Sequence, residues 1–416
     1  MTIQRDKLLQ DLIKSMHNGM IKIITGIRRC GKSFLLFNLF YDYLHEHGIA
    51  EDHIIRIDLE DRRNKALRDP DALLHFIDSR MADESMYYIL LDEVQHVTEF
   101  EDVLNSYLKV PNADVFVTGS NSRFLSKDVI TEFRGRGYEI KVTPLRFSEF
   151  LPISNQSKDL ALREYMVYGG LPAVCLMKDD TQKVNYLKSL FETTYLRDIK
   201  ERYHIKQENE MEELINMMAS SIGGLTNPTK LSNTFKSVKN VDISKNTIIS
   251  YLEILQDVFL LDKSIRYDIK GKRYIDTPSK YYFEDLGLRN AHLNFRQIEE
   301  THLMENLIYN ELRARGFSVD VGEVIVNEIE DGQKIRKHLE VDFVCNLGYR
   351  RYYIQSAFSI ADDAKREQEL RSLRLIQDSF QKVIIVGSPI AKYQNNDGVL
   401  FLSIYDFLSD PTSLSI

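Results

Sequence analysis

Hydrophobic positions in the first 150 residues switch between two periods. Leu8, Leu9, Leu12, Ile13 and Met16 recur at helical spacing, so residues 1–18 are expected to hold a helix leading into an apolar strand at Ile21–Thr25. Phe34, Leu35, Phe37, Leu39, Phe40 and Leu44 carry a second helical stripe, which Gly48 stops. Strands are then predicted at Ile54–Leu59, at Tyr87–Leu91, at Val115–Thr118 and at Tyr138–Val142, with a helix over Ala72–Met81. The run Tyr87–Leu91 is apolar without alternation, as in strands covered on both faces. Strands alternating with helices predict a parallel α/β sheet.

The pattern changes beyond this region. Residues 153–159 have a linker-like composition, and the first boundary is placed there, giving a unit of 1–155. Residues 161–222 read as helices broken at Gly169-Gly170-Leu171-Pro172. From Leu225 come two short helices, Thr229–Phe235 and Lys245–Asp257. A hairpin follows, Phe259–Tyr267 and Lys280–Glu284, around Lys270-Gly271-Lys272-Arg273, the order of a winged helix. The last stretch opens with a helix at Glu305–Leu312. Strands at Ser318–Gly322, Leu339–Cys345 and Tyr352–Gln355, a helix at Asp363–Asp378 and a strand at Val383–Val386 complete it. The divisions expected are 1–155, 156–222, 223–300 and 301–416.

Composition narrows the class. A chain of 416 residues exceeds what one core organises, so two to four domains are expected. Hydrophobic content of 43% and charged content of 28% are ordinary, and no apolar run nears the roughly 18 residues of a membrane span. Met1–Lys7 lacks the apolar core of a signal peptide, which makes the cytoplasm the expected location, with no membrane partner. Cys30, Cys175 and Cys345 are odd in number and widely spaced, so neither a disulfide framework nor a zinc site is indicated. A net charge of −8 argues against a chain that coats nucleic acid everywhere, yet residues 230–280 hold ten Lys/Arg against six Asp/Glu. That local excess suits a wing that contacts DNA backbone, whereas Glu253 and Asp257 on the preceding helix would repel phosphate.

Between the first strand and the helix lies Gly26-Ile27-Arg28-Arg29-Cys30-Gly31-Lys32-Ser33, followed by Phe34, which has P-loop spacing in the expected context. Its glycines allow backbone N–H groups to face phosphate, Lys32 suits the β- and γ-phosphates of ATP, and Ser33 suits Mg²⁺. A plain strand-to-helix turn is the alternative. Leu91-Asp92-Glu93 ends an apolar strand as a Walker B motif does, with Asp92 for Mg²⁺ and Glu93 for the attacking water. Gly119-Ser120-Asn121-Ser122 ends the fourth strand, where open α/β sheets bind ligands, so Ser120 and Asn121 are candidate sensors of the γ-phosphate, or ordinary turn residues. Arg134 and Arg136, beside glycines, are candidate arginine fingers acting in the same or a neighbouring subunit, or bare surface arginines.

Taken with Pro144-Leu145, Phe147, Glu149, Tyr168-Gly169-Gly170-Leu171-Pro172 and Tyr195-Leu196-Arg197-Asp198, these motifs resemble the prokaryotic AAA-type ATPases with a nuclease-like C-terminal domain. Arg146, where that family commonly has a small residue, and the extra Arg134 are departures. The resemblance implies an α/β fold: a parallel-sheet P-loop ATPase domain of the additional-strand type, a helical lid, a winged helix and a restriction-endonuclease-like domain. In the last of these, Glu305 matches the first-helix acid, Asp342 the metal-binding aspartate, and Gln355-Ser356-Ala357 the (D/E)-x-K strand, so cleavage chemistry is expected to be lost. The function expected is hydrolysis of ATP to ADP and phosphate with Mg²⁺, coupled to a DNA or protein partner, with a homo-oligomer possible. An ATP-dependent DNA-processing nuclease and a non-turnover switch that docks a protein are the alternatives.

Overall fold

The computed structural model describes residues 3–119, 135–330, 333–360 and 362–414. It divides into two compact units, residues 1–144 with 257–259, and residues 145–256 with 260–416. No helix among the described residues is long and apolar enough to cross a membrane.

The first unit is built on a five-stranded sheet, β1 (Ile21–Thr25), β2 (Ile54–Asp58), β3 (Tyr87–Asp92), β4 (Ala113–Thr118) and β5 (Gly137–Lys141), in the order β2-β3-β4-β1-β5. All pairings are parallel, and β4 lies between β1 and β3, as expected for the additional-strand type. Every residue of β1 and β3 is buried, so their near-continuous apolar runs are those of strands covered on both faces. Helix α1 (Asp6–Ser15) precedes β1. Helix α2 begins at Lys32–Phe34, passes through a π-helical stretch at Leu35–Phe40 and ends with Tyr41–Glu46. Helices α3 (Pro70–Arg80) and α4 (Phe100–Tyr107) complete the layers, and Leu73, Ile77, Val103 and Leu104 join the core against β2, β3 and β4.

The second unit opens with α5 (Phe147–Ser154), α6 (Lys158–Tyr168), α7 (Pro172–Cys175) and α8 (Asp180–Leu190). A π-helical stretch at Phe191–Leu196 leads into α9 (Arg197–Tyr203), followed by α10 (Glu208–Ser220), α11 (Pro228–Lys239) and α12 (Lys245–Asp257). The break expected at residues 169–172 lies between α6 and α7. Arg146, the departure from the family pattern, is nearly buried and donates through Nε to Glu311 at 3.0 Å and through Nη2 to the same carboxylate. Arg315 reaches Glu311 at 2.7 Å, so one buried carboxylate bridges two guanidinium groups, offsetting one of their two charges, and ties the start of α5 to α14 (Glu300–Ala314).

An eight-stranded mixed sheet follows, ordered β12-β13-β11-β10-β9-β8-β6-β7. Its strands are β6 (Leu261–Asp268), β7 (Arg273–Phe283), β8 (Ser318–Glu330), β9 (Gln333–Leu347), β10 (Arg350–Ala357), β11 (Gln381–Val386), β12 (Tyr393–Gln394) and β13 (Leu400–Ser403). The hairpin expected as a wing, β6–β7, continues into this sheet: β6 runs parallel to β8 with Arg266 opposite Val321. Ser264 Oγ donates to the Val319 carbonyl at 3.0 Å, and Arg266 pairs with Glu323, so side chains reinforce the join. Helix α13 (Leu286–His292) follows the hairpin, α15 (Asp363–Arg374) packs by Leu370 and Leu373 on the sheet, and α16 (Ile404–Ser409) is the last element described.

Candidate functional site

At the carboxyl end of β1 the backbone turns through residues 26–33. Gly26 has φ +141°, and a Cβ there would sit 2.0 Å from the Val142 carbonyl oxygen, so this position admits only glycine. Lys32 is buried, and its ammonium donates to the carbonyls of Gly26 (3.0 Å) and Ile27 (3.3 Å), inside the curve of the loop. Cys30 is fully buried, its sulfur 3.2 Å from where a Gly26 Cβ would stand, which makes it a packing residue of the loop. Arg28 is half-buried and Arg29 exposed with φ +65°, while Ile27 is buried and Phe34 partly exposed.

A buried residue that pattern reading misses supports this loop from behind. Arg5 donates through Nη1 to the Cys30 carbonyl (3.3 Å) and through Nη2 to the Thr143 carbonyl (2.9 Å), joining the loop to the chain just after β5.

Asp92, buried at the carboxyl end of β3, receives a hydrogen bond from the Thr118 hydroxyl on β4. The same hydroxyl accepts from the Glu93 amide at 2.9 Å, so both its donor and acceptor capacities are used. Glu93 is left-handed at φ +51°, a conformation that costs energy in a residue with a side chain and often marks a functional position. Its carboxylate accepts from Gln95 Nε2. Burial pushes the Asp92 carboxyl above its ordinary range, opposed by hydrogen bonds from Thr118 and Ser33 and assisted by Glu93 and Asp58. A buried carboxylate in reach of the Ser33 hydroxyl is a donor set that fits Mg²⁺, a hard cation served by oxygen ligands.

Ser120, Asn121 and Arg134 lie outside the described residues. Arg136 is exposed, and its carbonyl accepts from the Ile21 amide at 2.9 Å, at the amino end of β1. The β1–β5 register puts it level with Met20, about 20 Å along the strand from Gly26 at 3.3 Å per residue. It is therefore not brought together with Lys32, Asp92 and Glu93 of its own chain. Thr118 is legible in the sequence as the polar end of the run Val115–Val117, leading the motif Thr118-Gly119-Ser120-Asn121-Ser122, but its two hydrogen bonds are not.

The second unit brings together the residues that the sequence matches to a nuclease motif. The Asp342 amide donates to Gln355 Oε1 at 3.4 Å, and the Ser356 amide donates to Asp342 Oδ2 at 2.7 Å, across β9 and β10. Lys280 from β7, which sequence reasoning overlooks, enters this cluster and donates to Glu305 on α14 (2.9 Å) and to Glu340 on β9 (2.6 Å), with Asp342 Oδ1 4.0 Å away. A signal is available: Lys280 opens the apolar run Tyr281–Phe283, and Glu340 and Asp342 lie two residues apart on one strand. Among the described residues, no group of three His, Cys, Asp or Glu is arranged to hold a metal.

A parallel sheet with the turn at residues 26–33 at the end of β1, Asp92 at the end of β3 and β4 between them defines a P-loop ATPase domain of the additional-strand type. An AAA domain matches residues 18–151, and a domain of unknown function (DUF8612) matches residues 159–299. An uncharacterised protein of Haemophilus influenzae is 34% identical over 415 residues, 98% of each chain. An uncharacterised protein of Methanocaldococcus jannaschii is 30% identical over 366 residues, 85% of this chain and 77% of that one. A Walker-type ATPase of Pyrococcus abyssi shares the fold with a TM-score of 0.50 at 16% identity, covering 70% of this chain and 96% of that one. The chain belongs to the AAA-type P-loop ATPase family.

Proposed function

We propose that the first unit binds ATP with Mg²⁺ and hydrolyses it to ADP and phosphate. The observation that carries this reading is the Thr118 hydroxyl shared between the Asp92 carboxylate and the Glu93 amide, beside the turn at residues 26–33. Lys32 would leave the carbonyls of Gly26 and Ile27 for the β- and γ-phosphate oxygens, while backbone N–H groups at the start of α2 receive the remaining negative charge. Ser33 and Asp92 would hold Mg²⁺, which would supply positive charge against that developing on the phosphates. Glu93 takes the proton of the attacking water, and Thr118 fixes the backbone that aims it. Arg136, remote from its own loop, would serve a neighbouring subunit's γ-phosphate. The partner coupled to turnover is DNA or a protein, with the exposed tip at residues 270–272 as the DNA candidate. The nuclease-like residues of the second unit would scaffold without cutting, since Gln355 and Ala357 supply neither the charge nor the lysine of the motif.

Isothermal titration with ATP and Mg²⁺ tests the reading. Lys32→Ala should abolish binding while the melting temperature is retained. Unchanged affinity in that folded variant would reduce residues 26–33 to a turn.

A further inference from the structure

We infer that Lys280 is a resident cation, its ammonium standing where the nuclease-like cluster would need a divalent metal and closing that cluster to metal. This inference concerns the second unit and is independent of the ATP reading.

Geometry carries it. The Lys280 side chain is 3% exposed, and its Nζ lies 2.9 Å from Glu305 Oε1, 2.6 Å from Glu340 Oε1 and 4.0 Å from Asp342 Oδ1. The ammonium therefore faces one carboxylate from a helix and two from a strand. A hard divalent cation seated on those oxygens would need contacts of roughly 2.0–2.6 Å. Oxygens already within 2.6–2.9 Å of Nζ would put such an ion against the ammonium, with like charges in contact. Metal and lysine exclude each other.

Glu305 is also occupied on its own account. The Tyr282 hydroxyl donates to the same Oε1 at 2.7 Å. Gly223 packs so closely that a Cβ there would meet the Glu305 carboxylate at 3.0 Å, so the backbone seals that side. Burial lowers the affinity of Lys280 for its proton, but Glu305, Asp342 and Glu340 outweigh burial and hold its pKa above the ordinary lysine value. The cluster thus keeps its cation charged through the neutral range. Glu340 and Gln355 meanwhile line a groove of about 1280 Å³ with Lys270, Leu339, Glu369 and Arg371, so one edge of the cluster borders open space.

The same arrangement has a structural consequence. Lys280 belongs to the hairpin β6–β7, whereas its carboxylate partners belong to α14 and β9. One ammonium holds helix and sheet together across their acids. The hairpin is thereby locked to the nuclease-like sheet.

The test is a manganese titration of the full-length, nucleotide-free protein, following free Mn²⁺ by electron paramagnetic resonance. Parent protein, Lys280→Ala and Lys280→Ala with Asp342→Asn are compared, and the P-loop unit, common to all three, cancels in the comparison. Lys280→Ala should gain one Mn²⁺ site that binds at least about tenfold more tightly than the second unit of the parent does, and Mn²⁺ should raise its melting temperature. The double variant should lose both. A folded Lys280→Ala protein that gains no site overturns the inference. If Lys280→Ala does not fold, the parent and Asp342→Asn decide: equal Mn²⁺ binding supports a closed cluster, and Mn²⁺ bound by the parent but lost with Asp342→Asn refutes it.

Discussion

The Thr118 hydroxyl donates to the Asp92 carboxylate from the neighbouring strand while accepting from the Glu93 amide at 2.9 Å. A single side chain thus positions both residues to which we assign the chemistry, Asp92 for metal and Glu93 for water. Thr118→Val keeps the β-branched shape and removes both bonds. It should retain nucleotide binding and lower turnover by about 10–100-fold, because it disturbs the aim of Glu93 and leaves Lys32 untouched. Phosphate release alongside ATP titration separates the two effects. Loss of binding with intact turnover per bound nucleotide would contradict the assignment.

Arg136 lies at the amino end of the sheet and the P-loop at the carboxyl end. Distance therefore separates Arg136 from the P-loop of its own chain, and the version proposed for it is one supplied across a subunit boundary. Glu93→Gln and Arg136→Ala should each be inactive alone, with turnover falling by about 10² or more. Mixing them should restore part of the activity, since some interfaces would pair an intact glutamate with an intact arginine. A mixture as silent as its components would remove Arg136 from the reaction.

The hairpin tip makes a separate claim. Asp268 accepts from the Gly271 amide at 2.8 Å and sits 3.4 Å from Arg273 Nε, so Arg273 is partly neutralised, whereas Lys270 and Lys272 are exposed. Changing both lysines to alanine should weaken duplex binding and reduce its salt slope by about 1.8, at roughly 0.9 for each phosphate no longer neutralised. Adding Arg273→Ala should change little more. Parent protein that binds no duplex at low salt would leave the tip to a protein partner.

The parallel sheet is legible in the sequence because its strands are short apolar runs separated by turn residues, and the P-loop and Asp92-Glu93 are legible because each is contiguous. Pairings made across the fold are not. Lys280 and Glu305 are separated by 25 positions, and nothing in local pattern says that β7 will return beside α14. Thr118 meets Asp92 only because β4 is inserted between β1 and β3. Strand β8 is expected to end at Gly322, yet it runs to Glu330, because Val324 and Val326 alternate with residues on the other face and the polar Asn327 and Glu328 hide the period. Helix α4 and strands β12 and β13 escape pattern reading altogether: α4 is only eight residues long, and β12 is two. Arg146 stands out from the family pattern in the sequence, and Glu311 supplies its reason in the fold.

The last prediction concerns the two ends of α13, whose titrating groups oppose each other. Asp285, at its amino end, accepts from the amides of Gly170 (2.8 Å) and Leu288 (3.0 Å), but full burial outweighs these bonds and lifts its pKa from 3.8 to about 6. The folded state then binds a proton more tightly than the unfolded state. Its stabilising effect is complete below pH 3.8 and is lost as pH rises through about 6. His292, at the carboxyl end, packs against Phe191 with ring centroids 4.5 Å apart, and burial lowers its pKa from 6.5 to about 4. Its contribution has the reverse sign, being present above pH 6.5 and lost as pH falls through about 4. Each shift corresponds to roughly 3 kcal/mol at 1.36 kcal/mol per pKa unit, so the two nearly cancel in the parent between pH 4 and 6.5. Removing one should unmask the other. Relative to the parent, Asp285→Asn should lose stability on acidification across this window, because only the histidine penalty remains. His292→Phe should gain stability over the same window, because only the aspartate term remains. Urea unfolding of the three proteins at pH 4, 5, 6 and 7 measures both slopes, and parallel pH profiles would show that neither end of the helix titrates as its burial requires.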